Sequence, residues 1–242
     1  MSLKNLNATT KIPKVLNNNL KNKIIDRIYK RFEKRLNISE NFIVAVSGGP
    51  DSLALAFLAK IYSIKKNLIV KFLIVNHKLR PESTKEAKKV QNILKKYSIN
   101  SKILNWVGKK PNKNVQSNAR KKRYELLFAE CDKFKIKNIL LGHHQDDLFE
   151  NFFIRMLRGS GLKGLISLDK ENKMDSKNLL RPLIYEKKED LVFIAYKVFN
   201  FYVEDPSNND ENYLRIQIRK LIADLQKKGL DKKKLGNTIK NL

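Results

Sequence analysis

Apolar side chains recur along this chain with two distinct periods. Ile24, Ile25, Ile28, Tyr29, Phe32 and Leu36 fall on one face of a helical repeat and predict a leading amphipathic helix. Four short apolar runs follow, Phe42–Val46, Leu68–Val75, Ser101–Trp106 and Asn138–Leu141, and they read as buried parallel strands. Helical patterns separate them, over about Asp51 to Ile64, Ser83 to Tyr97 and Val115 to Phe134. Ser83 and Glu86 stand in capping-box register at the start of the second. The alternation predicts an α/β fold, a parallel twisted sheet with helices on both faces. Ligands in such sheets sit at the carboxyl ends of the strands. Ser47-Gly48-Gly49, Asn76-His77 and Gly142-His143 all fall there, so three strand ends aim polar or glycine residues at one crevice.

Past the fourth strand the pattern predicts a helix from Gln145 to about Arg158 and a glycine turn over 159–164. A polar linker, Asp169 to Asn178, precedes a helix over about Lys188 to Phe201. The loop from Glu204 to Asp210 leads to a basic helix starting near Tyr213. A Lys-rich end with sparse apolar residues runs from Lys227 to Leu242. The organisation expected is a polar N-terminal extension (1–20), disordered or weakly helical, an α/β domain (21–165) and a small helical C-terminal part (166–242).

Composition narrows the class. No stretch approaches the roughly 18 apolar residues of a membrane span, so no membrane partner is expected. The first 20 residues lack the apolar centre of a secretory signal. The single cysteine, Cys131, excludes an internal disulfide and any Cys-x-x-Cys site, and makes a reducing cytoplasm the natural location. A net charge of +27 points to a polyanion. Of the 51 basic residues 40 are Lys, a bias that AT-rich coding alone would produce, so arginine is the better witness. Eight of the 11 arginines lie in or beside motif-like segments, with only Arg27, Arg31 and Arg35 elsewhere, which favours a nucleic-acid partner.

The strand Phe42–Val46 runs straight into Ser47-Gly48-Gly49-Pro50-Asp51-Ser52 and then the apolar helix from Leu53. Glycines permit the tight turn, and the first N–H groups of the helix point at an anion. The segment has neither the Walker nor the dinucleotide-loop pattern. A second cluster, Leu141 to Glu150, packs two imidazoles and three carboxylates into a strand end and first helical turns. Asp147 and Glu150, three apart, share a helix face suited to a cation or an ammonium group. Acidic residues in a first turn also simply complement the helix dipole. Zinc is a poor fit, because only His77, His143 and His144 exist and adjacent histidines seldom share one ion.

The Ser47–Ser52 loop resembles that of the N-type ATP pyrophosphatases, which split ATP between its α- and β-phosphates. Asn76-His-Lys-Leu-Arg80, Ala119-Arg-Lys-Lys-Arg-Tyr124, Gly142-His-His-Gln-Asp-Asp147 and Arg158-Gly-Ser-Gly-Leu-Lys-Gly-Leu165 follow in order. Arg181-Pro-Leu183, Asp205-Pro-Ser-Asn208 and Tyr213-Leu-Arg-Ile-Gln-Ile-Arg219 complete the series. Over about residues 42 to 220 this series is similar to the tRNA(Ile)-lysidine synthase family, in a short form. The family usually has Gln at Leu148, Thr at Asn151 and Asn at Ile216, departures that bear on local hydrogen bonds.

The resemblance implies conversion of the wobble cytidine, position 34, of a CAU-anticodon isoleucine tRNA to lysidine. ATP adenylates the C2 oxygen, pyrophosphate leaves, and the ε-amine of free lysine displaces AMP. The implied cofactors are ATP and Mg²⁺. The backbone loop of Ser47, Gly48, Gly49, Pro50, Asp51 and Ser52 would cradle pyrophosphate, with Asp51 on the metal, and His77 and Gly142 would lie at the nucleotide. Arg120 and Arg123 would neutralise developing charge, and His143 would serve as a phosphate-side or proton-handling imidazole. Asp147 and Glu150 would bind the lysine ammonium; Arg158, Arg215 and Arg219 would meet tRNA. The oligomeric state, a homodimer included, stays open. A tRNA thiolase of similar fold generally uses paired cysteines or an iron–sulfur cluster, which one cysteine disfavours. A non-catalytic RNA binder gains nothing from carboxylates in its crevice.

Overall fold

The structure, a computed structural model, describes residues 11–204 and 214–242. It opens on α1 (Lys14–Leu20) and α2 (Lys23–Leu36), the latter capped by the Asn22 side chain, which accepts from the Ile24 and Ile25 N–H groups. The sheet then builds through β1 (Phe42–Val46), α3 (Pro50–Lys65), β2 (Val70–Asn76), α4 (Ser83–Lys96), β3 (Ser101–Asn105), α5 (Val115–Phe134) and β4 (Asn138–Leu140). Next come α6 (Gln145–Leu157), α7 (Leu162–Leu165), β5 (Glu171–Met174), β6 (Lys177–Leu180), α8 (Lys188–Phe199), α9 (Leu214–Lys227) and α10 (Lys232–Asn241).

Strand order is β3-β2-β1-β4-β6-β5, parallel throughout except β5 on β6. Side-chain alternation along β1 divides two cores. Phe42, Val44 and Val46 face the layer of α2, α3, α4 and α8, while Ile43 joins Tyr124, Leu127, Phe128 and Cys131 of α5 on the opposite face. From β1 the chain winds outward to β2 and β3, then returns to the other side of β1 as β4. That reversal opens a crevice above the carboxyl ends of β1 and β4.

Three features depart from the expectations. The segment expected as a polar linker carries β5 and β6, joined across Asp175 and Ser176, both at positive φ (46° and 62°), a two-residue hairpin turn. β5 is an edge strand of polar residues, so hydrophobic patterning had nothing to mark it, and the C-terminal part is therefore not wholly helical. The capping box at Ser83 and Glu86 does not form. Glu86 instead pairs with Arg80 at 3.0 Å and the Ser83 hydroxyl accepts the Arg80 N–H, fastening the preceding turn. Within the N-terminal extension, α1 docks through fully buried Leu16; residues 1–10 lie outside the described residues, as do Asp205–Asn208 and Tyr213 of the motif series.

The Lys-rich C-terminus also packs. Ile218 and Ile222 of α9 and Ile239 of α10 share a cluster with Leu148, Phe149 and Phe153 of α6, which sets α9 beside the crevice.

Candidate functional site

Residues 47–49 turn the chain from β1 into α3. Gly48 sits at φ +95°, and its carbonyl accepts the Val203 N–H at 2.9 Å. A Cβ on Gly48 would stand 2.6 Å from Val90 Cγ2 and 3.1 Å from Val203 Cγ2, so only glycine fits. Gly48→Ala is expected to cost about 3 kcal/mol from backbone strain and overpacking, read as a lowered urea midpoint. An unchanged midpoint would mean that the loop tolerates rearrangement.

The Ser52 hydroxyl curls this loop. Its oxygen accepts the Ser47 and Gly48 N–H groups at 3.1 and 3.0 Å, and it donates to the Gly49 carbonyl at 2.9 Å. The phosphate cradle expected from Ser47 through Ser52 is therefore narrower, since two of those donors serve the loop itself and Pro50 has none. Leu53 N–H is the first to close a helical turn, on Gly49 O at 3.1 Å. The Asp51 and Ser52 N–H groups thus stand at the open end of α3. Gly142, at the end of β4, lies flat on that end: its Cβ would meet Ser52 N at 3.2 Å.

A cavity of about 320 Å³ opens above the loop, lined by Ser47, Asp51, Asn76, His77, Arg123 and His143 among others. All three expected strand ends reach it. Buried Asn76 fixes the β2 end by donating to Thr84 Oγ1 and Asn105 Oδ1, both at 3.0 Å. His77 Nδ1 is buried without a partner, and burial, then Arg123 and Lys110, pushes its pKa down to about 4. His143 Nδ1 is likewise unpartnered. Burial outweighs the pull of Asp147, and Arg181, Arg120 and Arg215 add to it, so this ring too is held neutral.

These depressed values set a pH dependence. A histidine with a folded pKa below its unfolded value of about 6.5 contributes stability above that pH and loses it as pH falls toward the folded value. The melting temperature is expected to hold from pH 8 to about 6.5 and to fall below that, less steeply in His77→Gln. A melt independent of pH down to 5 would contradict the burial of both rings.

Site residues that the sequence did not single out complete the floor. His144 is the N-cap of α6: its Nδ1 accepts the Asp146 N–H at 3.2 Å, while Asp147 Oδ2 accepts the His144 N–H at 3.0 Å. Nδ1 being an acceptor, the ring presents its N–H at Nε2, which lies 3.7 Å from Asp51 Oδ2 and 3.5 Å from Asp147 Oδ2. Burial raises the pKa of Asp147, but His144, His143, the His144 N–H and Arg215 outweigh it and hold the carboxyl below its usual range. Lys188, at the start of α8, donates to Asp51 Oδ2 at 2.9 Å. One lysine among 40 carried no local signal for this.

Arg123 faces the crevice and Arg120, a turn earlier, is exposed, its guanidinium 5.2 Å from the Tyr124 ring centre. Arg158 is the exposed C-cap of α6. Glu150 is buried (1% exposed), and its Oε1 accepts from Arg219 Nε at 2.5 Å. Arg215 Nε lies 3.6 Å from Oε2, which has no hydrogen-bond partner. Burial lifts the Glu150 pKa despite the Arg219 bond. Residues assigned from sequence to two different substrates, lysine and tRNA, thus meet one another across α6 and α9.

Asp51 also bears on a metal. Its Oδ1 is buried and unpartnered, and among the described residues no group of three His, Cys, Asp or Glu converges on one point. A single carboxylate suits Mg²⁺ carried in on a nucleotide, whose phosphates and waters supply the other ligands.

A doubly wound sheet that curls a Ser-Gly-Gly-Pro-Asp-Ser loop over its switch point defines an α/β protein built to hold a phosphate chain. The chain belongs to the PP-loop domain family, which matches residues 18–225. It is 41% identical over 182 residues to the tRNA(Ile)-lysidine synthase of Orientia tsutsugamushi, covering 75% of this chain and 41% of that protein. To the tRNA(Ile)-lysidine synthase of Rhodopseudomonas palustris it is 34% identical over 195 residues, 80% of this chain and 56% of that protein. The chain thus spans about half the length of these relatives. Among solved structures, the U34-tRNA thiolase NcsA of Methanococcus maripaludis, with its [4Fe-4S] cluster, superposes with a TM-score of 0.73 at 17% identity, over 90% of this chain and 78% of that one. This likeness concerns the fold. No helix among the described residues is long and apolar enough to cross a membrane.

Proposed function

We propose that this chain performs the reaction named for its relatives, joining free lysine to C2 of the wobble cytidine, position 34, in a CAU-anticodon isoleucine tRNA at the expense of ATP. The observation that carries the reading is the crevice itself, where a pyrophosphate-type loop and the neutral imidazoles of His77 and His143 converge from three strand ends beside the Asp51 carboxylate. In the first step the C2 oxygen of the cytidine attacks the α-phosphorus and the bond to the bridging oxygen breaks, its electron pair leaving on pyrophosphate. The Asp51 and Ser52 N–H groups would hold that phosphate, with Lys188 and Arg123 balancing its charge. Mg²⁺, held by Asp51, would supply further charge neutralisation when bound.

In the second step the neutral ε-amine attacks C2, the C2–O bond breaks and AMP departs. The amine enters as an ammonium, so it needs a carboxylate to receive it and an acceptor for its proton. Ionised Asp147, beside neutral His143, suits both needs, and Glu150 lies one turn further along α6. Arg215 and Arg219 are 46% and 43% exposed at their side chains, leaving surface for RNA phosphate alongside their tie to Glu150, with Arg158 at the end of α6. A reducing cytoplasm suits the one thiol: Cys131 is fully buried and its pKa is pushed up to about 12, chiefly by burial. The same buried thiol speaks against sulfur transfer or cluster binding of the thiolase kind.

Incubation with α-labelled ATP, labelled lysine and the CAU isoleucine tRNA tests the reading. AMP as the nucleotide product and one lysine per tRNA are expected. ADP as the main product, or label absent from the RNA, would sink it.

A further inference from the structure

Outside the crevice the protein has a second concavity. It lies beside it, a groove of about 630 Å³ between the β3–α5 connection and the first turns of α5, walled by Trp106, Lys109, Lys110, Lys113, Lys121 and Lys122. Its one carboxylate, Glu125, is already held by Lys122 at 2.9 Å. Among the described residues Lys109, Lys113 and Lys121 have no carboxylate within ion-pair distance. The groove therefore gathers several uncompensated lysines in one concavity. Lys110 registers this: burial, then Lys78 and Lys122, lowers its pKa.

The groove and the crevice share a wall. Lys110 Nζ donates to the Trp106 carbonyl at 3.0 Å and lies 4.1 Å over its ring, and the indole also meets His77, ring centres 6.1 Å apart and planes at 78°. Lys113 precedes α5, Lys121 and Lys122 lie in it, and Arg120 and Arg123 carry the same helix to the crevice. A polyanion in the groove is thereby led to the reacting centre. We propose that this groove is the cradle for the backbone of the substrate RNA, its lysines pairing with consecutive phosphates next to the nucleotide being modified. The proposal rests on the lysidine-forming reading for the identity of the RNA. Its charge and concavity fit a phosphate-rich strand, since one small anion would leave most of that volume unfilled.

Filter binding of the CAU isoleucine tRNA across salt concentrations tests it on the intact chain. The set K109Q/K110Q/K113Q/K121Q is expected to weaken binding at least tenfold at 0.1 M salt and to flatten the slope of log K against log salt by about 2 to 3 units. A control set at the opposite end of the sheet, K66Q/K95Q/K96Q/K135Q, removes the same charge and is expected to change affinity less than threefold. Replacing the four groove lysines by Arg is expected to keep wild-type binding, and nucleotide affinity is expected to be constant throughout. Equal losses from both Gln sets, or loss in the Arg set, overturn the cradle while leaving the functional reading intact. A wild-type chain that fails to hold the tRNA at low salt overturns the functional reading and the cradle with it.

Discussion

Asp51→Asn yields a folded protein with at least a thousandfold slower release of AMP and pyrophosphate. The substitution keeps the size of the side chain and removes its charge, so the metal-holding role proposed for it disappears while the loop stays curled by Ser52. A thousandfold loss corresponds to about 4 kcal/mol of transition-state stabilisation, a reasonable share for a carboxylate that positions a charge-neutralising ion. The fold loses little, because the Lys188 partner is 38% exposed at its side chain and returns to water. The melting temperature is expected to stay within about 3 °C of wild type. Product chromatography from α-labelled ATP, paired with a thermal melt, makes the measurement. Turnover within tenfold of wild type in a folded variant removes Asp51 from the chemistry.

The contact with Lys188 adds a control. If Asp51 mattered only as an anchor for α8, Lys188→Met would reproduce the loss without touching the carboxylate. The proposed role predicts a milder effect, because Lys188→Met leaves Asp51 free to take a metal and removes only one cation from the phosphate side.

The centre of the sheet was legible because β1, β2 and β4 are largely buried, and buried parallel strands announce themselves as apolar runs. Phe42–Val46 and Val115–Phe134 fall where the pattern put them, and the other central elements differ by two residues or fewer at each end. β5 and β6 were hidden for the converse reason: an edge hairpin of Glu171, Asn172, Lys173 and Lys177 carries almost no apolar signal. Its Asp-Ser turn also lacks the glycine that usually marks a two-residue hairpin.

At the site, legibility followed the backbone. Ser47, Asn76-His77 and Gly142-His143 were readable because strand ends fix where they point. His144 was not, since only the cap geometry turns its ring between Asp51 and Asp147. Lys188 and the Glu150–Arg219 pair depend on long-range packing of α8 on α3 and of α9 on α6, which no local pattern encodes.

That last pair gives the second large effect. Glu150→Gln is expected to raise KM for lysine about tenfold or more with KM for ATP within twofold, because the amide keeps the shape and still accepts from Arg219 but no longer attracts an ammonium. Taken alone, the loss could equally come from slackened packing of α9 on α6. Arg219→Ala separates the two causes. It removes the Arg219 contact outright, at a cost of about 2 kcal/mol, moderated because the Arg219 side chain is 43% exposed. It also leaves the Glu150 carboxylate in place and less contested. If Glu150 receives the lysine ammonium, Arg219→Ala keeps KM for lysine at or below the wild-type value while weakening tRNA binding. If the pair is only a clasp between helices, both substitutions raise KM for lysine and ATP together and track the loss of stability. Steady-state kinetics in both substrates, with urea midpoints for each variant, decides between them, and parallel behaviour of the two variants would return Glu150 to the scaffold.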